Sequence, residues 1–242
     1  MKVAVISDVH ANGHALSAVL AEAGRSSPGE TWCLGDLVGY GPDPNECCAT
    51  IAARPGICLA GNHDLAVLGA LPLDEFNADA AAAARWTQSV LDDPSRAFLE
   101  SLEPAATRDG AELYHGSPAD PVWDYVLTPQ AAEWAFRMTS APLILVGHSH
   151  VQLGLQWDGE AVHGGVTTDG DELDLSSGRW LLNPGSVGQP RGNDPRAAFL
   201  ELDLDAKRAR FRRIDYDVAA TQAEIVERGL PAALAQRLGH GV

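Results

Sequence analysis

Asp8-Val9-His10 and His148-Ser149-His150 each carry two potential metal ligands one residue apart. In an extended segment that spacing puts both side chains on one side. Asp36, Asn62, His63 and His115 lie between them in the chain, so that five of the eight histidines fall in one ordered set. Carboxylate, imidazole and amide oxygen together suit borderline metals such as Mn²⁺, Fe²⁺ or Zn²⁺ rather than Ca²⁺. A single tetrahedral zinc uses about four ligands. Asp8, His10, Asp36, Asn62, His63, His115, His148 and His150 are too many for one ion and suit two. Two cations about 3.5–4 Å apart need a shared carboxylate, and Asp36, between the other loops, is the natural bridge. Asn62 offers an amide oxygen, His63 carries a proton near neutral pH, and Asp64 is expected to orient or acidify that histidine. Alone, Gly61-Asn62-His63-Asp64 is an ordinary turn, and a single histidine at a strand end is ordinarily a packed or surface residue. The ordered set points to chemistry.

Such residues work only if the fold brings them together. Residues 3–6 are an apolar, β-branched run, as in a strand covered on both faces. A polar exit and a helix over 15–23 follow. The pattern recurs with a strand at 31–34, Asp36, a Gly/Pro-rich loop at 39–44 and a helix over 45–53. A strand at 57–60 then delivers the tetrapeptide into a loop. Strand, polar loop and helix in repetition predict parallel βαβ units, whose strand carboxyl ends hold the functional loops. Residues 65–104 read as a helical insertion over the sheet edge, either lid-like or plainly packed. A hairpin at 105–108 and 111–114 delivers His115. A helix over 129–138 and a strand at 143–146 deliver His148 and His150. Strands at 151–157, 172–175 and 180–182, a non-periodic loop at 183–191, a hairpin at 197–204 and 208–214, and helices over 218–228 and 231–238 complete the chain. No linker or internal repeat divides it, so a single domain over 1–242 is expected, with two face-to-face sheets and helices outside both.

Composition narrows the function. The chain has 242 residues, 45% of them hydrophobic, enough for a sizeable core, and a formal net charge of −16. That balance lacks the basic face nucleic-acid binding needs and makes anionic membranes poor partners. The N-terminus enters a strand directly, with no signal-peptide pattern. No apolar run approaches the roughly 20 residues of a membrane span, and a cytoplasmic location is expected. Cys33, Cys47, Cys48 and Cys58 form no CxxC pair, which disfavours a zinc ribbon or thioredoxin-type site. Cys33 and Cys58 read as buried thiols.

Asp8-Val9-His10, Gly35-Asp36, Gly61-Asn62-His63-Asp64, His115 and Gly147-His148-Ser149-His150 resemble, in order and across essentially the whole chain, the motifs of the calcineurin-like metallophosphoesterases. The length, the loop Gly39-Tyr40-Gly41-Pro42-Asp43-Pro44 and the 183–191 loop are similar to the small bacterial phosphodiesterase-like branch. The resemblance implies an α/β fold: a four-layer αββα sandwich of two mixed β-sheets flanked by helices, with a dinuclear metal site at the strand carboxyl ends. It implies one metal on Asp8, His10, Asp36 and His150, and the other on Asp36, Asn62, His115 and His148. His63 is then the general acid, with Asp64 as its partner. Two divalent ions are implied, manganese first, with iron, zinc or nickel as alternatives. The implied reaction is hydrolysis of a phosphate ester by a hydroxide shared between the metals.

The departures from that family inform the substrate. The large protein-phosphatase branch has Gly-Asp-x-x-Asp-Arg-Gly, whereas Gly35-Asp36-Leu37-Val38-Gly39-Tyr40-Gly41 lacks the arginine. Asp64 stands where that branch usually has Glu. Both favour a phosphodiester or nucleotide-like small molecule over a phosphoprotein. Phosphomonoesters and dinucleoside polyphosphates are the alternative substrates. A non-catalytic binding scaffold, as in the retromer subunit of this fold, is the reading from another class, and the presence of His63 with every ligand argues against it. Asn12, Tyr40 and Arg191 are the expected substrate contacts, with surface or packing roles as their alternatives. His14, His163 and His240 match no motif.

Overall fold

A computed structural model describes residues 1–242. Strand β1 (Lys2–Ile6) shows how the interior divides. Side chains alternate across a strand. Val3 and Val5 join an inner cluster with Trp32, Leu113, Leu145, Leu182 and Phe211. Ala4 and Ile6 face the other way, toward Leu16, Val19 and Cys47. Burying one such Val, Leu, Ile or Phe side chain is worth about 1.5–3 kcal/mol, so the unbroken apolar run is stable only between two layers.

The first sheet runs β3-β2-β1-β11-β12-β9. Its parallel half is β1, β2 (Glu30–Cys33) and β3 (Gly56–Cys58). β11 (Ala197–Asp203), β12 (Arg208–Ile214) and β9 (Glu172–Asp174) add antiparallel strands. The second sheet runs β4-β5-β6-β10-β7-β8. Its strands are β4 (Ala105–Arg108), β5 (Ala111–Tyr114), β6 (Leu143–Val146), β7 (Gln152–Trp157), β8 (Val162–Val166) and β10 (Arg179–Pro184). β6 is parallel to both β5 and β10. Leu143 and Leu145 face the first sheet. Ile144 and Val146 face Ala132 and Phe136 of α6 (Pro129–Met138). On the far side, α1 (Gly13–Arg25) and α2 (Pro44–Ala52) cover the first sheet. The result is the four-layer αββα sandwich of two mixed sheets that the sequence predicts.

Three elements differ from the sequence reading. The Gly61 tetrapeptide is the start of a helix, α3 (Asn62–Val67), rather than a loop. β8 was not anticipated, because Val162-His163-Gly164-Gly165-Val166 has no alternating pattern; it forms only as an edge strand on β7. Asn183 and Pro184, read as loop, extend β10 along β7.

Residues 65–104 are helical as expected, with α4 (Ala78–Val90) and α5 (Asp93–Glu100) after a 3-10 turn at Leu73–Glu75. Ala84 and Leu99 enter the same core as α1 and α2. Ala80 and Ala83 pack with Leu234 and Ile225 from α8 (Ala232–Leu238) and α7 (Val218–Glu227). No helix is long and apolar enough to cross a membrane.

Candidate metal centre

The loops leaving β1 and β2 continue each other's ladder past the strand ends. Asp8 N–H donates to Gly35 O at 3.0 Å, and His10 N–H donates to Asp36 O at 2.9 Å. From the far end of the sequence, Gly188 N–H donates to Asp8 O at 3.0 Å and Ser186 Oγ–H to the same oxygen at 2.8 Å. Asp8, His10, Asp36, His148 and His150 all hold left-handed backbone, with φ of 54°, 48°, 53°, 60° and 61°. For non-glycine residues that conformation costs about 1–3 kcal/mol each, and it persists where surrounding structure imposes it. These tight turns bring the side chains back over the strand ends.

The side chains form overlapping groups whose ligand atoms lie within 4.8 Å of one another: Asp8, His10 and His150; His10, Asp36 and His63; Asp36, His115 and His148. Backbone carbonyls fix three of the histidines. His10 Nδ1 meets Val38 O at 3.2 Å, His115 Nδ1 meets Leu34 O at 2.8 Å, and His150 Nδ1 meets Gln189 O at 2.7 Å. A carbonyl only accepts, so each Nδ1 carries the proton and each Nε2 presents a lone pair. Those lone pairs converge. His10 Nε2 lies 3.1 Å from His150 Nε2, and His115 Nε2 lies 3.2 Å from His148 Nδ1 and 3.0 Å from Asn62 Oδ1.

Asp36 sits between the two halves. Its Oδ2 is 3.7 Å from His10 Nε2 and 3.5 Å from His115 Nε2, while Oδ1 accepts the His63 backbone N–H at 2.9 Å. Both Asp8 carboxylate oxygens are buried without a hydrogen-bond partner. Burial, followed by the charges of Asp64 and Asp8, pushes the Asp36 carboxyl well above its usual range. Burial is the largest single influence on Asp8 and raises it, but His150, His115 and His10 together outweigh it and hold that carboxyl below the usual range. Buried acceptors facing only acceptors are costly unless a cation lies among them. The residues present therefore fit a pair of divalent ions.

Burial is the main reason His10 and His63 are held well below the usual imidazole range, with the charge of His150 next for both. His148 falls to about 3, again from burial first and His115 second. His63 does not meet Asp64. Its ring packs against Tyr40, His10 and Phe76 at centroid distances of 4.4, 4.9 and 5.1 Å. Its Nδ1 is buried without a partner, beside Gly39, where an added Cβ would lie 2.5 Å from that nitrogen.

Several expected roles are corrected. The Asp64 carboxylate accepts backbone N–H groups from Val38, Leu37 and Gly61 at 3.0, 3.2 and 2.9 Å, so it ties loops together rather than tuning His63. Asn12 does not reach substrate space. Its Oδ1 caps α1 by accepting from Ala15 N–H and also accepts from Thr221 Oγ–H, and its Nδ2 donates to Gly188 O. Tyr40 borders the cavity but is buried, and its ring also packs on His10 at 4.6 Å. Arg191 does border the cavity, with its Nε buried and unpartnered.

The cavity over these residues measures about 130 Å³ and has Asp36, Asn62, His63, His148 and His150 in its lining. Together with Tyr40, Glu75, Asn77, Ala80 and Arg191, its wall is lined by Phe76, Trp123 and Tyr125. Sequence reasoning missed these three aromatics, and also Gln189, which fixes His150, and Arg237, whose guanidinium lies 5.8 Å from the Tyr40 ring centroid. The only available signal was two aromatics flanking Asp124 in a non-periodic stretch. A wider depression of about 270 Å³ lies at the edge formed by Lys2, Glu201 and Arg210, but it holds no histidine.

A family model described as calcineurin-like phosphoesterase superfamily domain matches residues 1–207. The chain belongs to the calcineurin-like phosphoesterase superfamily. Among solved structures similar to this superfamily member is a metallophosphoesterase from Sphaerobacter thermophilus, with 42% identity, a TM-score of 0.90, and 100% of this chain and 99% of that one covered. The protein PH1004 of Pyrococcus horikoshii OT3 shares the fold at 21% identity and a TM-score of 0.81, covering 100% and 98%. The uncharacterized protein MJ0912 of Methanocaldococcus jannaschii is 36% identical over 98% of this chain and 96% of its own length.

Proposed function

We propose that this superfamily member is a dinuclear metal-dependent phosphoesterase that hydrolyses a phosphodiester or a small nucleotide-like phosphate ester. The observation that carries this reading is Asp36. One carboxylate oxygen lies within 3.7 Å of His10 Nε2 and 3.5 Å of His115 Nε2, so a single acid serves both groups. Asp8, His10, Asp36 and His150 would hold one divalent ion, and Asp36, Asn62, His115 and His148 the other. Manganese is the first choice for this mixture of oxygen and imidazole ligands, with iron, zinc or nickel as alternatives.

Divalent ions held there would supply a water of near-neutral pKa and offset charge on the phosphoryl oxygens. The protein's own residues do the rest. Arg191, with an unpartnered Nε at the cavity wall, pairs with a substrate phosphate oxygen. His63 acts on the leaving oxygen as general acid. Because its Nδ1 is walled in by Gly39, Nε2 is the atom that delivers the proton. Burial holds His63 well below the usual imidazole range, and an anionic ester beside it raises its proton affinity.

Metal analysis, combined with hydrolysis of a generic aryl phosphodiester and monoester with and without Mn²⁺, tests this. The expected result is about two ions per chain and Mn²⁺-dependent turnover, with the diester preferred. Full metal occupancy without turnover of either ester would instead support a binding scaffold.

A further inference from the structure

The cavity at about 130 Å³ is small beside the ~300–1,000 Å³ of pockets that enclose a whole drug-sized ligand. It takes a phosphoryl group and leaves the rest of an ester at the mouth. There the chain has gathered aromatic rings. Tyr125 is stacked on His148 with centroids 4.0 Å apart and planes 25° apart. Trp123 lies 6.3 Å from the same imidazole and 5.2 Å from Phe76, and Phe76 in turn lies 5.1 Å from His63. Two different segments supply this wall: Phe76 from the helical insertion, Trp123 and Tyr125 from the loop between β5 and α6. Tyr125 remains 44% exposed, and no second ring covers it.

Orienting His148 requires only one face of Tyr125. An exposed aromatic at the mouth of a site is a stacking platform for any flat π-face, and it does not discriminate by hydrogen bonding. Arg191 lies beside the Tyr125 hydroxyl and borders the same cavity. A phosphate held by Arg191 and the floor residues therefore carries its ester group onto the Tyr125 face.

We infer that Tyr125 and Trp123, backed by Phe76, form a stacking subsite that selects phosphate esters bearing a planar aromatic group, such as a nucleobase or aryl ring. This rests on the phosphoesterase reading and deepens it by assigning residues to substrate choice.

The test compares AMP with ribose 5-phosphate, which differ in the base. Dissociation constants for the Mn²⁺-loaded protein come from quenching of Trp fluorescence and from calorimetry. AMP is expected to bind at least about fivefold tighter. Tyr125→Ala should abolish that preference and Tyr125→Phe should keep it. Phenyl phosphate against methyl phosphate then tells whether a bare aryl ring suffices or a nucleoside is needed. A role confined to orienting His148 would weaken both ligands of each pair equally, and equal ratios in wild type and Tyr125→Ala overturn the inference. These are binding measurements, so absence of turnover on every ester would sink the phosphoesterase reading while leaving the stacking preference separately decided.

Discussion

Asp64 Oδ1 accepts the Val38 N–H at 3.0 Å, across 26 residues of chain. Its Oδ2 takes the Leu37 and Gly61 N–H groups. A fully buried carboxylate thus locks the loop that carries Asp36 onto the start of α3, which carries Asn62 and His63. Burial pushes this acid up to about 6, against the pull of the same backbone donors.

Replacing Asp64 should accordingly damage the scaffold before the chemistry. Asp64→Ala leaves buried N–H groups unpaired at about 1–3 kcal/mol each. The urea midpoint should fall and metal content should fall with it, whereas Asp64→Asn, which retains an acceptor, should lose less. A variant with wild-type stability and metal content but a shifted pH optimum would restore the role of tuning His63.

His63 behaves differently because it holds no loop in place. His63→Ala should cut turnover of an ester with a poor alkoxide leaving group by about 10²–10⁴-fold. A nitrophenolate ester, which needs no proton, should suffer much less. Metal content should stay at the wild-type level, and loss of metal would make His63 a ligand.

Acid should destabilise the metal-stripped protein. His148 titrates near 3 when folded against an ordinary 6.5, and His10, His63 and His115 shift the same way. Below pH 6.5 the unfolded chain then binds more protons than the folded one, so folding stability is present above 6.5 and drains away as pH falls toward 3. Each such histidine contributes up to about 1.4 kcal/mol per pH unit. Asp36 and Asp64, raised by burial, act in the opposite direction but are outnumbered. Thermal melts of chelated protein should therefore show Tm falling between pH 6.5 and 4.5. A flat Tm over that range would count against neutral buried histidines.

Gly61 faces Asp36, the acid proposed to bridge the metals, directly. A Cβ there would lie 2.0 Å from Asp36 Oδ1 and 2.5 Å from the Asp36 backbone nitrogen, so both the carboxylate and its loop must shift. Gly61→Ala should lower the bound metal per chain, read by elemental analysis, with the circular-dichroism spectrum retained. Undiminished metal binding would mean that Asp36 is not the bridge.

The layers of the fold were legible because β1 and β6 are apolar on both faces, and only a sandwiched strand permits that. The clustering of Asp8, Asp36, His115 and His150 was legible for a related reason, since parallel strands deliver their exits to one edge. What the sequence concealed was side-chain bookkeeping. Asp64 and Asn12 look like functional polar residues, yet the structure uses their oxygens on backbone donors that appear only after the loops fold. β8 was hidden because its glycines carry no pattern. Tyr125 and Trp123 were hidden because their partner, His148, belongs to a different strand exit.

The grip of the 186–189 segment on Asp8 has a consequence for biosynthesis. Ser186 and Asp8 are 178 residues apart, and Gln189 O fixes the His150 proton from the same segment. A chain still lacking residues 183–189 has neither the two hydrogen bonds to Asp8 O nor the acceptor that fixes the His150 Nδ1 proton. Any metal held by Asp8 and His150 would then find its site complete only once residues 183–189 have been made. Until the final strands close the sheet around them, the site's histidines would offer a metal only separate, weak ligands.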